Sequence, residues 1–242
     1  MHPLTEAYEA ERADFQRVLT AIRKLLSAPM ADLCSHDWLT ELIREVGLVP
    51  IPDAERTYAG DTQYLNSSQQ GVIQLPDEFA SYLLLLGREK PSTYLEIGTF
   101  NGATACLTAA YVQRFVSNFQ ITTLDIFPAF IFFEEASALL PNLSYGVGKT
   151  SFEFRGRQFD AVFIDGDHSF EWAWADYRNV GRFARVCAFH DVNNAPYRNF
   201  PMGGVPAVWE LVKESEPGAQ FHEIFEHPAK DLLGIGVRVN AT

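Results

Sequence analysis

Thr93-Tyr94-Leu95-Glu96-Ile97-Gly98-Thr99-Phe100-Asn101-Gly102-Ala103-Thr104 is the stretch whose reading decides the fold. A short apolar run closes on an acid and a glycine, and an alanine-rich helical segment comes next, so the unit reads as strand, tight turn and helix. Gly98 allows the turn without a Cβ clash. Gly102 lets the helix start lie close to whatever sits over the strand ends, with backbone N–H groups facing it.

Outward from this unit, the chain from Pro76 onward alternates short β-rich runs with helical ones, the pattern of a doubly wound parallel sheet. Strands are predicted at Thr93–Ile97, Ile121–Asp125, Leu143–Val147, Asp160–Ile164 and Arg185–His190, and a helix at Val205–Glu214. Two further runs, Phe221–Glu226 and Leu232–Val239, are separated by His-Pro-Ala-Lys-Asp, too short for a helical crossover, and therefore should pair antiparallel. The expected fold is α/β: a Rossmann-like, seven-stranded, mostly parallel sheet with a C-terminal antiparallel hairpin, helices on both faces and an N-terminal helical extension.

In that extension Tyr8, Phe15, Val18, Leu19, Ile22, Leu25 and Leu26 recur at helical spacing, and a second helical stretch from Trp38 to Val46 stops at Gly47. Turn residues dominate the segment after Gly47. Residues 1–75 thus read as a helical extension or lid and residues 76–242 as the ligand-binding domain. The N-terminal helices and the Tyr58–Gln70 segment offer either a cover for the pocket or a homodimer interface.

The 242 residues are 47% hydrophobic and 21% charged, ordinary globular usage. The net charge of −12, with no basic run, sets phosphate backbones and anionic membranes aside as partners. Cys34, Cys106 and Cys187 are far apart and form no CxxC pair, which argues against a disulfide framework or zinc knot and for a reducing compartment. The charged first residues lack an apolar segment, and no stretch reaches membrane-spanning length, so a cytoplasmic protein is expected.

The glycine spacing is GxxxG rather than GxGxxG, and Glu96 would repel a pyrophosphate. A cationic ligand suits it better, and S-adenosylmethionine carries a sulfonium and an amino group. Asp125, at the end of the next strand, is placed to accept hydrogen bonds from both hydroxyls of a ribose. After the third strand, Gly146-Val147-Gly148-Lys149-Thr150-Ser151 offers small polar residues for an adenine ring. It completes no phosphate loop, which rules out a nucleoside triphosphatase. The candidate cofactor-binding set is Glu96, Gly98, Thr99, Gly102, Asp125, Gly148, Lys149, Thr150 and Asp165.

The fourth strand runs into Asp165-Gly166-Asp167-His168, and the fifth ends in His190-Asp191 beside it. Such crowding of carboxylates and imidazoles is costly unless a cation, a proton or a substrate shares the charge. Asp165, His190 and Asp191 are the candidate ligands of a divalent metal, Mg, Mn, Fe or Zn, the imidazole nitrogen favouring the last three.

Together, YLEIGTFNGAT, TTLDIF, FDAVFIDGDHSFEWAWADY and AFHDVNN followed by GGVPAVWELV resemble class I S-adenosylmethionine-dependent methyltransferases, in the branch near macrocin O-methyltransferase and the cephalosporin-biosynthesis methyltransferase-like proteins. The resemblance spans roughly residues 76–240. It implies a cofactor held by Glu96, Gly98, Gly102 and Asp125, a metal at positions matching Asp165, His190 and Asp191, and a base at Asp167 or His168. Relatives carry a Pro-Gly-Gly turn where this chain has Gly181-Arg182-Phe183-Ala184-Arg185, and an acid where it has His190. The activity so implied is O-methylation of a hydroxyl on a sugar, phenol or natural product, with or without metal assistance. The alternatives are a non-catalytic module of the same fold binding S-adenosylmethionine or a sugar, and a nicotinamide-dependent oxidoreductase, which Glu96 and GxxxG disfavour.

Overall fold

In the computed structural model, residues 3–50, 65–225 and 233–240 are described, with side chains from residue 7 onward. The extension contributes α1 (Pro3–Ser27), α2 (Met30–Leu33) and α3 (His36–Val46). After them come α4 (Pro76–Glu89), β1 (Thr93–Ile97), α5 (Ala103–Val112), β2 (Gln120–Asp125), α6 (Phe133–Ser137), β3 (Leu143–Val147) and β4 (Ala161–Ile164). The chain continues through α7 (Phe170–Asn179), β5 (Val186–His190), α8 (Ala195–Arg198), α9 (Gly204–Ser215), β6 (Gln220–Ile224) and β7 (Ile235–Val239). Residues 226–232 of the connection between β6 and β7, and Tyr58–Tyr64 of the anticipated cover, lie outside the described residues.

The seven strands are ordered β3-β2-β1-β4-β5-β7-β6. β7 runs antiparallel to both β5 and β6, and all other pairings are parallel, as the short connection required. Consecutive connections lead outward from β1 through β2 to β3 and from β4 to β5 in the opposite direction. A crevice therefore opens at the carboxyl ends of β1 and β4, where the winding switches sense.

Both sheet faces are covered, which explains why the strands are apolar throughout rather than alternating. Tyr94, Ala161, Phe163, Val186 and Ala188 point into a core shared with α1, α3, α4 and α5. Their neighbours Leu95, Ile97, Val162, Ile164, Cys187 and Phe189 point into a second core with α7 and α9. The stripe of α1, including Phe15, Val18, Ile22 and Leu25, is buried and packs on α5, so the extension belongs to the same core as the sheet.

The missing diglycine turn before β5 has a substitute. Gly181–Phe183 forms a 3-10 turn, and the fully buried Arg238 of β7 donates to the carbonyls of Ala184 at 2.8 Å and Gly181 at 2.7 Å while pairing with Glu216. No helix among the described residues is long and apolar enough to cross a membrane. Among the described residues all three cysteines are free thiols, two of them buried.

Candidate active site

A cleft of about 510 Å³ lies over the carboxyl ends of β1, β2, β4 and β5. One wall is the turn after β1. Gly98 has φ +96°, and a Cβ there would lie 1.9 Å from the carbonyl oxygen of Asp165, so no other residue fits. The amides of Gly98 and Thr99 donate to the carbonyl of Leu124, and that of Asp165 to Ile97, stitching three strand ends together at 2.9, 3.1 and 2.8 Å. Asn101 caps the start of α5 by accepting from the Ala103 amide at 2.9 Å.

Asp125 ends β2 beside this turn. Its two carboxylate oxygens accept from the amides of Phe100 and Phe127 at 2.8 and 2.9 Å, which fixes the group and leaves further lone pairs for hydroxyl donors. Lys149 and Thr150 complete this half. The Thr150 hydroxyl is shared with Glu153 in a capping box over the next turn. Ile126, Phe127 and Trp172 give the wall apolar area. The ribose-type acid and the apolar faces suit an adenosyl group.

Three of the sequence-predicted cofactor residues do not reach this cleft. Glu96 is fully buried beneath it, accepting from the Thr123 hydroxyl at 2.9 Å, and Thr123 in turn meets Thr99 at 2.6 Å. Burial, together with Asp165 and Asp125, pushes its pKa well up, so the carboxyl is not the exposed anion expected to face a sulfonium. The reason is strand alternation: Glu96 shares the face of Tyr94 and points under the sheet. Gly102 has φ +84°, and a Cβ there would meet the ring of Phe130 at 2.4 Å, so its smallness makes room for an aromatic cluster of Phe15, Phe130 and Tyr145. Gly148 lies clear of the cleft walls.

At the other end of the cleft the acids and imidazoles converge. His190 Nδ1 is 3.1 Å from both Asp165 Oδ1 and Asp191 Oδ2. His168 Nε2 is 3.3 Å from Asp191 Oδ2 and 3.7 Å from Asp165 Oδ1. Burial works against charge on each of the four, yet their mutual pairing outweighs it: the carboxyls of Asp165 and Asp191 are held below the usual range and both imidazoles above theirs. Asp191 has φ +63°, a strained backbone for a non-glycine, and Asn194 Nδ2 donates to its Oδ1 at 2.8 Å.

One oxygen each from Asp165 and Asp191 and one nitrogen of His168 lie within 4.8 Å of one another. Two carboxylates and an imidazole suit a divalent ion of the Mn, Fe or Zn kind, and the buried His168 Nε2 has no hydrogen-bond partner. His190, placed among the metal donors by sequence, sits between the two carboxylates at 3.1 Å from each, and the nitrogen that falls within reach of both acids in this group of possible donors is that of His168. The two candidate bases also separate. Asp167 is exposed and accepts from the Ser169 amide at 2.8 Å ahead of α7, whereas His168 packs against Tyr197 with ring centroids 4.4 Å apart and the planes tilted by 53°.

Sequence reasoning missed Gln74, Thr104, Asn194 and Tyr197, all of which line the cleft. Asn194 closes the quoted AFHDVNN run and was legible there. Gln74 carries no signal: it is one glutamine in a turn-rich stretch. The aromatic run after β2 divides, with Phe130 and Phe132 buried and Phe127 on the cleft wall.

This architecture, a seven-stranded sheet with one reversed strand and a ligand cleft at its switch point, is the Rossmann-like fold of methyltransferases. Residues 95–192, which contain β1 to β5 save the first two residues of β1, match a family model described as a methyltransferase domain. Among solved structures, the O-methyltransferase TomG of Streptomyces achromogenes, involved in tomaymycin synthesis and in complex with S-adenosylmethionine, shares 18% identity over 71% of this chain and 82% of its own, with a TM-score of 0.52. The cofactor-bound Rv0187 from MTB is 21% identical over 69% and 81%, with a TM-score of 0.52. The Podospora anserina methyltransferase PaMTH1, bound to S-adenosylhomocysteine, is 16% identical over 85% and 95%, with a TM-score of 0.50. No curated protein matches the sequence.

Proposed function

We propose that this protein is a class I methyltransferase that moves the methyl group of S-adenosylmethionine to a hydroxyl of a small acceptor, a sugar, phenol or natural product, with assistance from a divalent metal. The observation that carries the reading is the joining, in one cleft, of a ribose-type acid on a glycine turn with an acid and imidazole cluster at the neighbouring strand ends. The match of residues 95–192 to a methyltransferase domain supports it.

Methyl transfer is an in-line displacement, so the protein mainly orients two reactants and excludes water. Asp125 would hold the ribose hydroxyls, with Ile126 and Trp172 flanking the adenine. On the other side, Gln74, Asn194 and Tyr197 would border the acceptor, with Asp167, or His168 where no ion is bound to it, holding the proton it gives up. A divalent ion held by Asp165, His168 and Asp191 would supply Lewis acidity toward the acceptor hydroxyl.

Calorimetry with S-adenosylmethionine and S-adenosylhomocysteine tests the cofactor assignment, and heat with neither compound refutes it. Formation of S-adenosylhomocysteine from S-adenosylmethionine in the presence of a panel of phenols and sugars, with and without Mn²⁺, then tests the acceptor class. Turnover that chelator leaves untouched removes the metal from the proposal.

A further inference from the structure

Gln74 is 98% buried in a segment that belongs to neither the strand ends nor the helices around them, yet it touches both halves of the cleft. Its Oε1 accepts from the Thr104 hydroxyl, in the first turn after the glycine loop, at 2.8 Å. Its Nε2 donates to Asp165 Oδ2 at 2.6 Å. Chemistry fixes the orientation of this amide. Reversed, it would set its oxygen against a carboxylate, so only the NH₂ group can face Asp165.

The backbone that carries Gln74 is pinned along its length. One oxygen of Asp14, on α1, accepts from the amides and the hydroxyls of Ser67 and Ser68 at 3.0 to 3.1 Å. Asn101 of the glycine loop donates to the carbonyls of Gln69 and Gly71 at 2.7 and 2.9 Å. A strap from the N-terminal extension thus delivers one amide to the junction between the glycine loop and the end of β4.

We propose that Gln74 is a positioning residue that locks the Asp165 carboxylate, holding Oδ2 so that Oδ1 stays turned toward His190 and His168, and that it couples this group to the glycine loop through Thr104. The assignment of what Asp165 serves rests on the methyltransferase reading above. The locking itself rests on two hydrogen bonds and a pinned strap. By this arrangement the extension is part of the binding machinery, because removing the strap frees a carboxylate at the centre of the cleft.

Two variants separate the parts. Gln74→Glu keeps the acceptor for Thr104 but sets a second carboxyl against Asp165, in a neighbourhood whose other titratable groups include Glu96, His168, His190 and Asp191. Gln74→Leu removes both bonds without adding charge. Losing one charge-assisted hydrogen bond shifts the equilibrium between locked and free Asp165 by about tenfold, and affinity for a ligand that needs the locked form falls by up to the same factor. S-adenosylhomocysteine should therefore bind Gln74→Leu up to about tenfold more weakly than wild type at both about pH 8 and about pH 5.5. Gln74→Glu should show the loss at the higher pH and return to within about twofold at the lower one, where the introduced carboxyl is protonated and donates as the amide did.

Wild-type affinity in both variants, or a Gln74→Glu deficit that does not change with pH, overturns the proposal. Should the wild-type protein give no heat with S-adenosylhomocysteine, the cofactor reading fails, and thermal unfolding decides the positioning role by itself. A Gln74→Glu deficit in Tm that shrinks from about pH 8 to about pH 5.5 upholds the bond to Asp165, and a constant deficit refutes it. If Gln74→Glu does not fold, the uncharged Gln74→Leu decides alone: weakened binding upholds the positioning role, and wild-type affinity overturns it.

Discussion

Replacing Asp176 by Asn should stabilise the protein by an amount that grows as pH rises from about 4 to about 7. Asp176 lies on α7 at the rim of the cleft, buried, with its Oδ1 accepting from the Ser151 hydroxyl at 2.6 Å. Burial, only partly offset by Ser151 and reinforced by the charge of Asp167, raises its pKa from 3.8 to about 7. The folded state therefore binds this proton more tightly than the unfolded chain. The group's favourable contribution is complete below the unfolded value of 3.8 and drains away as pH rises to about 7.

A gap of about three pKa units corresponds to roughly 4 kcal/mol at most, or on the order of 10 °C in Tm for a chain of this length. Asn keeps the oxygen that Ser151 needs and has no proton to lose. The two proteins should thus unfold at similar temperatures near pH 4 and diverge as pH rises, the difference levelling off above about pH 7. Comparing the pair cancels every other titrating group. Scanning calorimetry of both across this range makes the check, and a Tm difference independent of pH would refute the burial argument.

Asp125→Ala removes the acceptor for two backbone amides and for the proposed ribose hydroxyls. At about 1.5 to 3 kcal/mol for bonds to a charged group, it should weaken S-adenosylhomocysteine binding by roughly 10- to 100-fold in calorimetry, and an unchanged Kd removes Asp125 from the site. Asp165→Ala should abolish metal-stimulated release of S-adenosylhomocysteine and weaken S-adenosylhomocysteine binding at least as much as Gln74→Leu does, since it removes the carboxylate that Gln74 holds, and full turnover in the variant contradicts its role. Gly98→Ala brings a Cβ to 1.9 Å from a carbonyl oxygen at φ +96°, so soluble expression or Tm should fall sharply, and a wild-type Tm would show the turn to be laxer than drawn. Ile22→Ala, in the fully buried stripe of α1, should cost about 2 to 5 kcal/mol by denaturant titration, and a loss below about 1 kcal/mol would mean that the extension is not built into the core.

Much of this molecule was legible along the chain. The strand and helix periods placed β1 and β3 at their observed limits and the other strands to within a few residues, because runs buried on both faces are apolar without interruption. The five residues between the last two runs dictated a reversed strand, since no helix fits in that length. The concentration of acids and imidazoles after β4 and β5 marked a site, because parallel neighbours must bring their ends together.

What a side chain faces is a different matter, settled by pleat and packing. Glu96 and Gly102 stand in the motif, yet one points beneath the sheet and the other accommodates Phe130. His190 and His168 were both visible as imidazoles, but only the fold set one between the two acids and brought a nitrogen of the other within reach of both. Gln74 could not be read at all, since its meaning comes from Asp165, 91 residues away, through a contact that no local pattern encodes. Sequence periodicity reports which elements form and in what order, because those depend on near neighbours. The identity of the groups that share a cleft depends on distant segments meeting, and that was decided by the tertiary structure alone.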